Sequence, residues 1–229
     1  MTPKKTLLVS SAIMGFLGVL VSIIIIAIGG GFTGPGPSIL NPPSAKDLWT
    51  TGNGLVNGTR LIYSLTIGNG EQLPANKIVS MKFIDEGKDW RVLFSLGKIR
   101  NAPVHNITLL KESFTPLGIL NKNSDMMSRP ISSTIFSIRD IAREPKYLVV
   151  GAIWDTINVG TLTVPLRITG LEDVNTLAGS FHSYVLSYHI GNKDSKIYLV
   201  KGFPLPIKSD IYNANGTLEY KYELTSIGK

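Results

Sequence analysis

The chain of 229 residues contains no cysteine. This absence excludes a disulfide framework, a thiolate zinc site and a cysteine nucleophile. Runs of lysine and arginine are also missing, because the net charge of +7 is scattered along the chain. Scattered charge indicates a solvated surface, with binding of anionic lipid or polymer as the alternative. The basic residues are not interleaved with aromatic ones in a recognisable module, so we expect no nucleic-acid partner.

Residues 6–28 carry no charge and are rich in isoleucine, leucine and valine. As a helix, its 23 residues would be ~35 Å long, enough to cross a hydrocarbon core of about 30 Å. Lys4 and Lys5 precede it, and the next basic residue is Lys46. The positive-inside rule then predicts a single-pass anchor at residues 1–28, with a cytoplasmic N-terminus and an extracytoplasmic C-terminal part.

A cleaved secretory signal is the rival interpretation of this segment. Ala27 and Gly29 form a small-x-small pattern of the kind that a signal peptidase recognises. The apolar stretch is longer than the 7–15 residues usual for such signals, which favours a retained anchor.

Glycine and proline dominate residues 29–46, which predicts a linker that holds the next domain away from the bilayer. We therefore expect one extracytoplasmic domain at residues 47–229, large enough for its own core. Short β-branched and aromatic runs separated by Gly, Asn, Asp and Pro predict about ten strands there. The predicted strands are 60–67, 77–84, 90–96, 104–110, 147–150, 152–159, 161–168, 182–190, 196–200, 208–212 and 217–225.

One segment has helical rather than strand periodicity. Isoleucines recur at Ile131, Ile135, Ile138 and Ile141, which predicts a short amphipathic helix with Ser132 or Ser133 as its cap. We expect this isoleucine stripe to pack on a core and to line any cavity beneath the helix. The fold class is thus mainly β (α+β), with an antiparallel sheet curling around one helix.

The C-terminal part resembles known envelope proteins in its motifs. A turn with the pattern A-G-x-F at Ala178–Phe181 leads a strand, and Pro204-Leu205-Pro206 precedes the last hairpin with its tyrosine-rich strand. This order is similar to the periplasmic lipoprotein-carrier half-barrels and to a group of uncharacterised archaeal membrane-anchored proteins. The resemblance implies a strongly curved, half-barrel-like sheet with a helix over an apolar cavity. Those carriers are shuttles or lipid-anchored acceptors, so it transfers no carrier activity to a chain tethered by a helix.

No catalytic, cofactor or metal constellation stands out. His182 and His189 are seven apart, which places them on opposite faces of one strand. Three carboxylates crowd the predicted hairpin loop 85–89 but lack the spacing of a calcium loop. Possible glycosylation sites are the three Asn-x-Thr sequons, at Asn57, Asn106 and Asn215.

Two functions follow as hypotheses. The first is a membrane-anchored extracytoplasmic binding or scaffolding module, with a lipid or another apolar ligand in the cavity. The alternative is a non-catalytic accessory or structural subunit beside membrane-protein partners. An unrecognised hydrolase comes last, because unrelated active sites do occur on familiar folds.

The predicted topology can be tested by proteolysis of intact cells. We expect external protease to digest residues 47–229, because the positive-inside rule places them outside. Their protection in a demonstrably permeable envelope would contradict this orientation.

Overall fold

The computed structural model describes residues 44–68, 77–97, 104–117, 130–159 and 161–229. No helix within these ranges is long and apolar enough to cross a membrane. The predicted anchor and almost all of the predicted linker lie outside the described residues.

Antiparallel strands make up most of the described chain. The strands are β1 (Leu48–Trp49), β2 (Arg60–Ile67), β3 (Lys77–Asp85), β4 (Asp89–Leu96), β5 (Val104–Leu110), β6 (Pro116–Leu117), β7 (Lys146–Tyr147), β8 (Ile153–Val159), β9 (Leu162–Thr176), β10 (Gly179–Ile190), β11 (Lys193–Leu199), β12 (Lys208–Tyr212) and β13 (Leu218–Gly228). Eleven strands form one open sheet in the order β6-β5-β4-β3-β2-β13-β12-β11-β10-β9-β8, while β1 pairs with β7. The mainly β fold class is confirmed.

Alternation along the central strands separates the two faces of the sheet. In β2, Leu61, Tyr63 and Leu65 are buried while the residues between them are partly exposed. β13 repeats this pattern, with Tyr222 and Leu224 buried and charged residues on the other side. A period of two gives each strand an apolar inner face and a wetter outer face. The predicted half-buried last strand is therefore confirmed.

A short helix packs on the core. The chain is π-helical over Ser132–Phe136 and α-helical over Ser137–Ile141; we call these two turns α1. Ile131, Ile135 and Ile138 are almost completely buried, as the stripe predicted.

The predicted cap of α1 is wrong. The backbone is already helical at Ile131, so Ser132 and Ser133 lie inside the helical segment. Two other hydroxyls in this segment donate to backbone carbonyls four residues earlier. Thr134 Oγ1 donates to the Pro130 carbonyl at 2.7 Å, and Ser137 Oγ donates to the Ser133 carbonyl at 3.2 Å. Such back-bonding replaces capping for a hydroxyl inside a helix.

The segment between β11 and β12, residues 200–207, also covers the inner face. Trp49 Nε1 donates to the Phe203 carbonyl at 3.0 Å, and the Tyr63 hydroxyl donates to the Pro206 carbonyl at 3.1 Å. Tyr63 also meets Tyr222 edge to face, with ring centroids 5.6 Å apart. Burial raises the pKa of both tyrosines, so neither ionises near neutral pH.

Two predicted strands differ in the structure. The expected strand at 147–150 is only the two-residue β7, because Ala152 N donates to the Val149 carbonyl in a turn. The strand expected to end at residue 168 continues to Thr176 as β9, through a register shift opposite Val185 and Leu186. An extra residue in the ladder lets the strand bend and continue.

Gly52 and Gly87 make a matched pair for testing the packing. Both have φ near +85°, but a Cβ on Gly52 would lie 2.0 Å from a Phe114 ring carbon, whereas one on Gly87 meets nothing within 4 Å. Alanine at either site costs about 1–2 kcal/mol for the left-handed backbone. We expect Gly52→Ala to lose a further ~1–3 kcal/mol of unfolding free energy through overpacking, measured by urea denaturation. Equal losses would show that Phe114 moves aside freely.

Candidate functional site

Strands β9 and β10 separate at one end and leave a cleft between them. Their pairing stops at Arg167 and Ser187. Beyond this point β9 stays paired with β8, as far as Leu162 opposite Val159. β10 stays paired with β11, as far as Ile190 opposite Lys193. Pro165 lies in the separating part of β9 and has no N–H with which to continue a ladder. The resulting space is about 320 Å³. We call it the splay cleft; its lining residues are Val164, Pro165, Arg167, Thr169, Ser187, Tyr188, His189, Asp194 and Lys196.

The carboxylates at the splay cleft are occupied by neighbouring cations or imidazole. Lys196 Nζ lies 3.0 Å from Glu172 Oε1, and this hydrogen bond raises the pKa of Lys196. His189 Nδ1 lies 2.7 Å from Asp194 Oδ1, across directly paired positions of β10 and β11. Arg167 is exposed and has no carboxylate partner among the described residues.

An apolar pocket lies at the start of the domain and the end of β13. Its volume is about 370 Å³, and its lining residues are Gly54, Val56, Thr59, Leu61, Gly202, Phe203, Pro204, Ile227, Gly228 and Lys229. Val56 and Ile227 are each nearly half exposed there. We call this space the β13-end pocket. It offers apolar contact and few charged groups.

Two of the three carboxylates of the predicted hairpin loop, which does connect β3 and β4, bind the protein's own cations. Asp85 pairs with Lys111, and Glu86 Oε1 lies 2.6 Å from Arg91 Nε. Hydrogen bonds from Lys111 and from the Gly87 backbone lower the pKa of Asp85. Nowhere in the described ranges do three potential metal-binding side chains come together.

The histidines are not assembled into a catalytic group. His182 and His189 are both mostly exposed, and each contacts one aspartate, Asp173 and Asp194 respectively. His105 is partly buried on β5. Within the described residues, His182 and His189 hydrogen-bond these aspartates through Nδ1, and none of the three histidines hydrogen-bonds a serine or threonine hydroxyl.

The three sequon asparagines are all exposed, at loop, strand and turn positions. Asn57 Oδ1 also accepts a hydrogen bond from Asp85 N at 3.0 Å, and Asn106 lies on β5. Asn215 lies in the turn between β12 and β13, where its N–H donates to Asn213 Oδ1. Their glycosylation stays a prediction.

The helix isoleucines do not line either pocket described above. Ile131, Ile135 and Ile138 are at most 2% exposed, and Ile141 packs partly buried against the same cluster. Whether Ile131, Ile135, Ile138 and Ile141 line another cavity stays a prediction.

Sequence reasoning missed the splay cleft. Arg167, Thr169 and Ser187 come from two strands and belong to no motif. One signal was available: Pro165 inside a predicted strand indicates that one edge of that strand carries no ladder. Which side chains then meet across the opening depends on strand order.

Comparisons with known proteins show remote likenesses in fold. No family model and no curated protein matches the chain. A protein described as exported, with a YmcC-like fold, from Bacteroides fragilis is 12% identical over 80% of this chain and 100% of its own, with a TM-score of 0.38. MucB in its complex with MucA from Pseudomonas aeruginosa is 13% identical over 75% of this chain and 51% of its own, with a TM-score of 0.41. A lipoprotein from Parabacteroides distasonis is 9% identical over 78% of this chain and 99% of its own, with a TM-score of 0.37. Similarity at this level carries no function to the chain.

The Asp85–Lys111 pair makes stability depend on pH. Because the pKa of Asp85 is lowered in the folded state, its contribution is present above the ordinary value of 3.8 and is lost as the pH falls through the lowered pKa. We expect Asp85→Asn to lower the thermal midpoint at pH 6, with the difference from the unmodified protein shrinking in acid. Asp155→Asn, an exposed carboxylate without a cation partner in the described ranges, is the control. A difference independent of pH would assign the effect to the loop hydrogen bonds instead.

Proposed function

We propose that residues 47–229 form a non-catalytic, extracytoplasmic scaffolding module, held at the membrane by residues 6–28, that binds a protein partner along β8. The observation that carries this proposal is the open edge at β8. An edge strand presents unpaired backbone N–H and C=O groups, to which an extended segment of another protein can add as a further strand.

Strand β8 carries little of the usual protection of an edge. It is the last strand of the eleven, and no described residue pairs with its outer side. Natural edges are blocked with lysine, proline or charge, whereas Asp155 is the only charged residue within Ile153–Val159. A register shift between Ile153 and Asp155 distorts only the start of the strand.

Exposed apolar side chains lie beside this edge. Tyr147, Val150 and Ile153 are 43%, 53% and 64% exposed. The Trp154 indole, which donates to the Tyr147 carbonyl at 2.8 Å, holds β7 against the start of β8. Apolar groups next to unpaired backbone suit a partner strand with alternating apolar residues, because pairing would cover both at once.

A second candidate function is binding of a lipid or another apolar ligand, as expected for a half-barrel-like sheet. The β13-end pocket favours it, because Val56, Leu61 and Phe203 supply apolar walls. A lipid of fixed mass that copurifies with the detergent-extracted protein, in native mass spectrometry, supports this candidate. Its absence, together with a stoichiometric protein partner, supports scaffolding.

Photo-cross-linking in intact cells tests strand addition. A photoreactive residue is placed in the full chain at position 153 or, as the control, at Leu177, which is 82% exposed at the β9–β10 turn. We expect one protein adduct of defined mass from position 153 and none from position 177. Adding Ile157→Lys should reduce that adduct about tenfold, because a lysine on an edge opposes pairing. Equal adducts from both positions, or none from position 153, would contradict the proposal.

A further inference from the structure

We infer that the splay cleft binds a carboxylate group of an extracytoplasmic ligand through Arg167. This site is separate from the β8 edge, because it lies on the opposite side of the β8–β9 hairpin. Its existence follows from the end of pairing at Arg167 and Ser187, which opens about 320 Å³ between two strands of one sheet.

The paired residues at the closed end of the splay cleft include hydrogen-bond donors. Arg167 is paired in register with Ser187, and Ser187 with Lys196, so these three side chains lie on one face of adjacent strands. Thr169 Oγ1 donates to the Val185 carbonyl at 3.3 Å and lies 3.0 Å from Ser187 Oγ. The Thr169 hydroxyl is thus used within the protein, and the Arg167 guanidinium and the Ser187 hydroxyl are the donors that can face an oxyanion.

Charge balance selects the kind of anion. Lys196 is paired with Glu172, and His189 is paired with Asp194, so both carboxylates near the splay cleft are already engaged. Arg167 remains as one positive charge without a partner in the described ranges. One fixed charge next to two engaged carboxylates favours a monoanion over a doubly charged phosphate or sulfate. The planar fork of a guanidinium matches a carboxylate in a bidentate arrangement.

The remaining walls indicate what carries the carboxylate. Val164 and Pro165 line one side of the splay cleft and Tyr188 the other, so the ligand must combine an anionic end with an apolar or ring-shaped body. The C-terminus of a peptide with an apolar last residue meets this description, because its carboxylate lies next to an apolar side chain. A uronic acid of a surface polysaccharide shares the carboxylate but has hydroxyls on its ring, and it is the other outcome of the test.

Isothermal titration of the full-length protein in detergent provides the test. The probes are D-galacturonic acid against D-galactose, and an acetylated tripeptide with a free C-terminus against its amide; sodium phosphate is a further probe. We expect the tripeptide with a free C-terminus to bind, its amide to bind at least about tenfold more weakly, and the affinity to fall as salt is raised. Galacturonate binding identifies the source as a uronic acid, and peptide binding as a C-terminus.

Two substitutions make the result specific to this site. Arg167→Gln should weaken binding about tenfold or more, and Arg167→Lys should restore only part of it, because lysine keeps the charge but not the fork. Arg143→Gln, which removes a 75% exposed arginine that does not line the splay cleft, should leave the affinity unchanged. Binding that is unaffected by Arg167→Gln, stronger binding of phosphate, or no binding of either carboxylate would each overturn the proposal.

Discussion

One face of the eleven-stranded sheet is apolar from β5 to β9, and it must be covered because exposed apolar surface of that size is costly in water. Two pieces of the chain provide the cover. α1 contributes its isoleucine stripe, and the segment before β12 contributes Leu205 and Ile207, both almost fully buried. Hydrogen bonds from Trp49 and Tyr63 to carbonyls of that segment hold it in place. With the inner face filled in this way, the described openings lie at strand ends and edges.

Both candidate sites lie where strand pairing ends. Register shifts occur in the pairings of β8, β9, β12 and β13. Where β9 follows β8 and leaves β10, the splay cleft opens. Where β8 ends the sheet, an unpaired edge remains. Neither place needs a motif in the sequence, because each results from geometry between strands.

Local signals predicted much of the fold. Alternation at Leu218, Tyr220, Tyr222 and Leu224 predicted a half-buried strand, and glycine-bearing turns predicted the hairpins around residues 85–89 and 213–216; these agree with the structure. The isoleucine periodicity predicted α1. The errors arose where local and tertiary preferences differ. The run at 147–150 has strand-like residues, but the docking of β7 beside β1 and a turn at Val149 prevent a longer strand.

Apolar periodicity, turn residues and the uncharged N-terminal stretch are properties of neighbouring residues, and the sequence alone therefore determined the strand-rich class, the helix and the anchor hypothesis. Long-range pairing is different, because many strand orders satisfy the same alternation. Only the tertiary structure decided that β13 lies beside β2, that β8 is an edge, and that Arg167, Ser187 and Lys196 lie side by side on adjacent strands. The reason is physical: a cross-strand neighbour is chosen by the packing of the whole sheet, and no single segment carries that information.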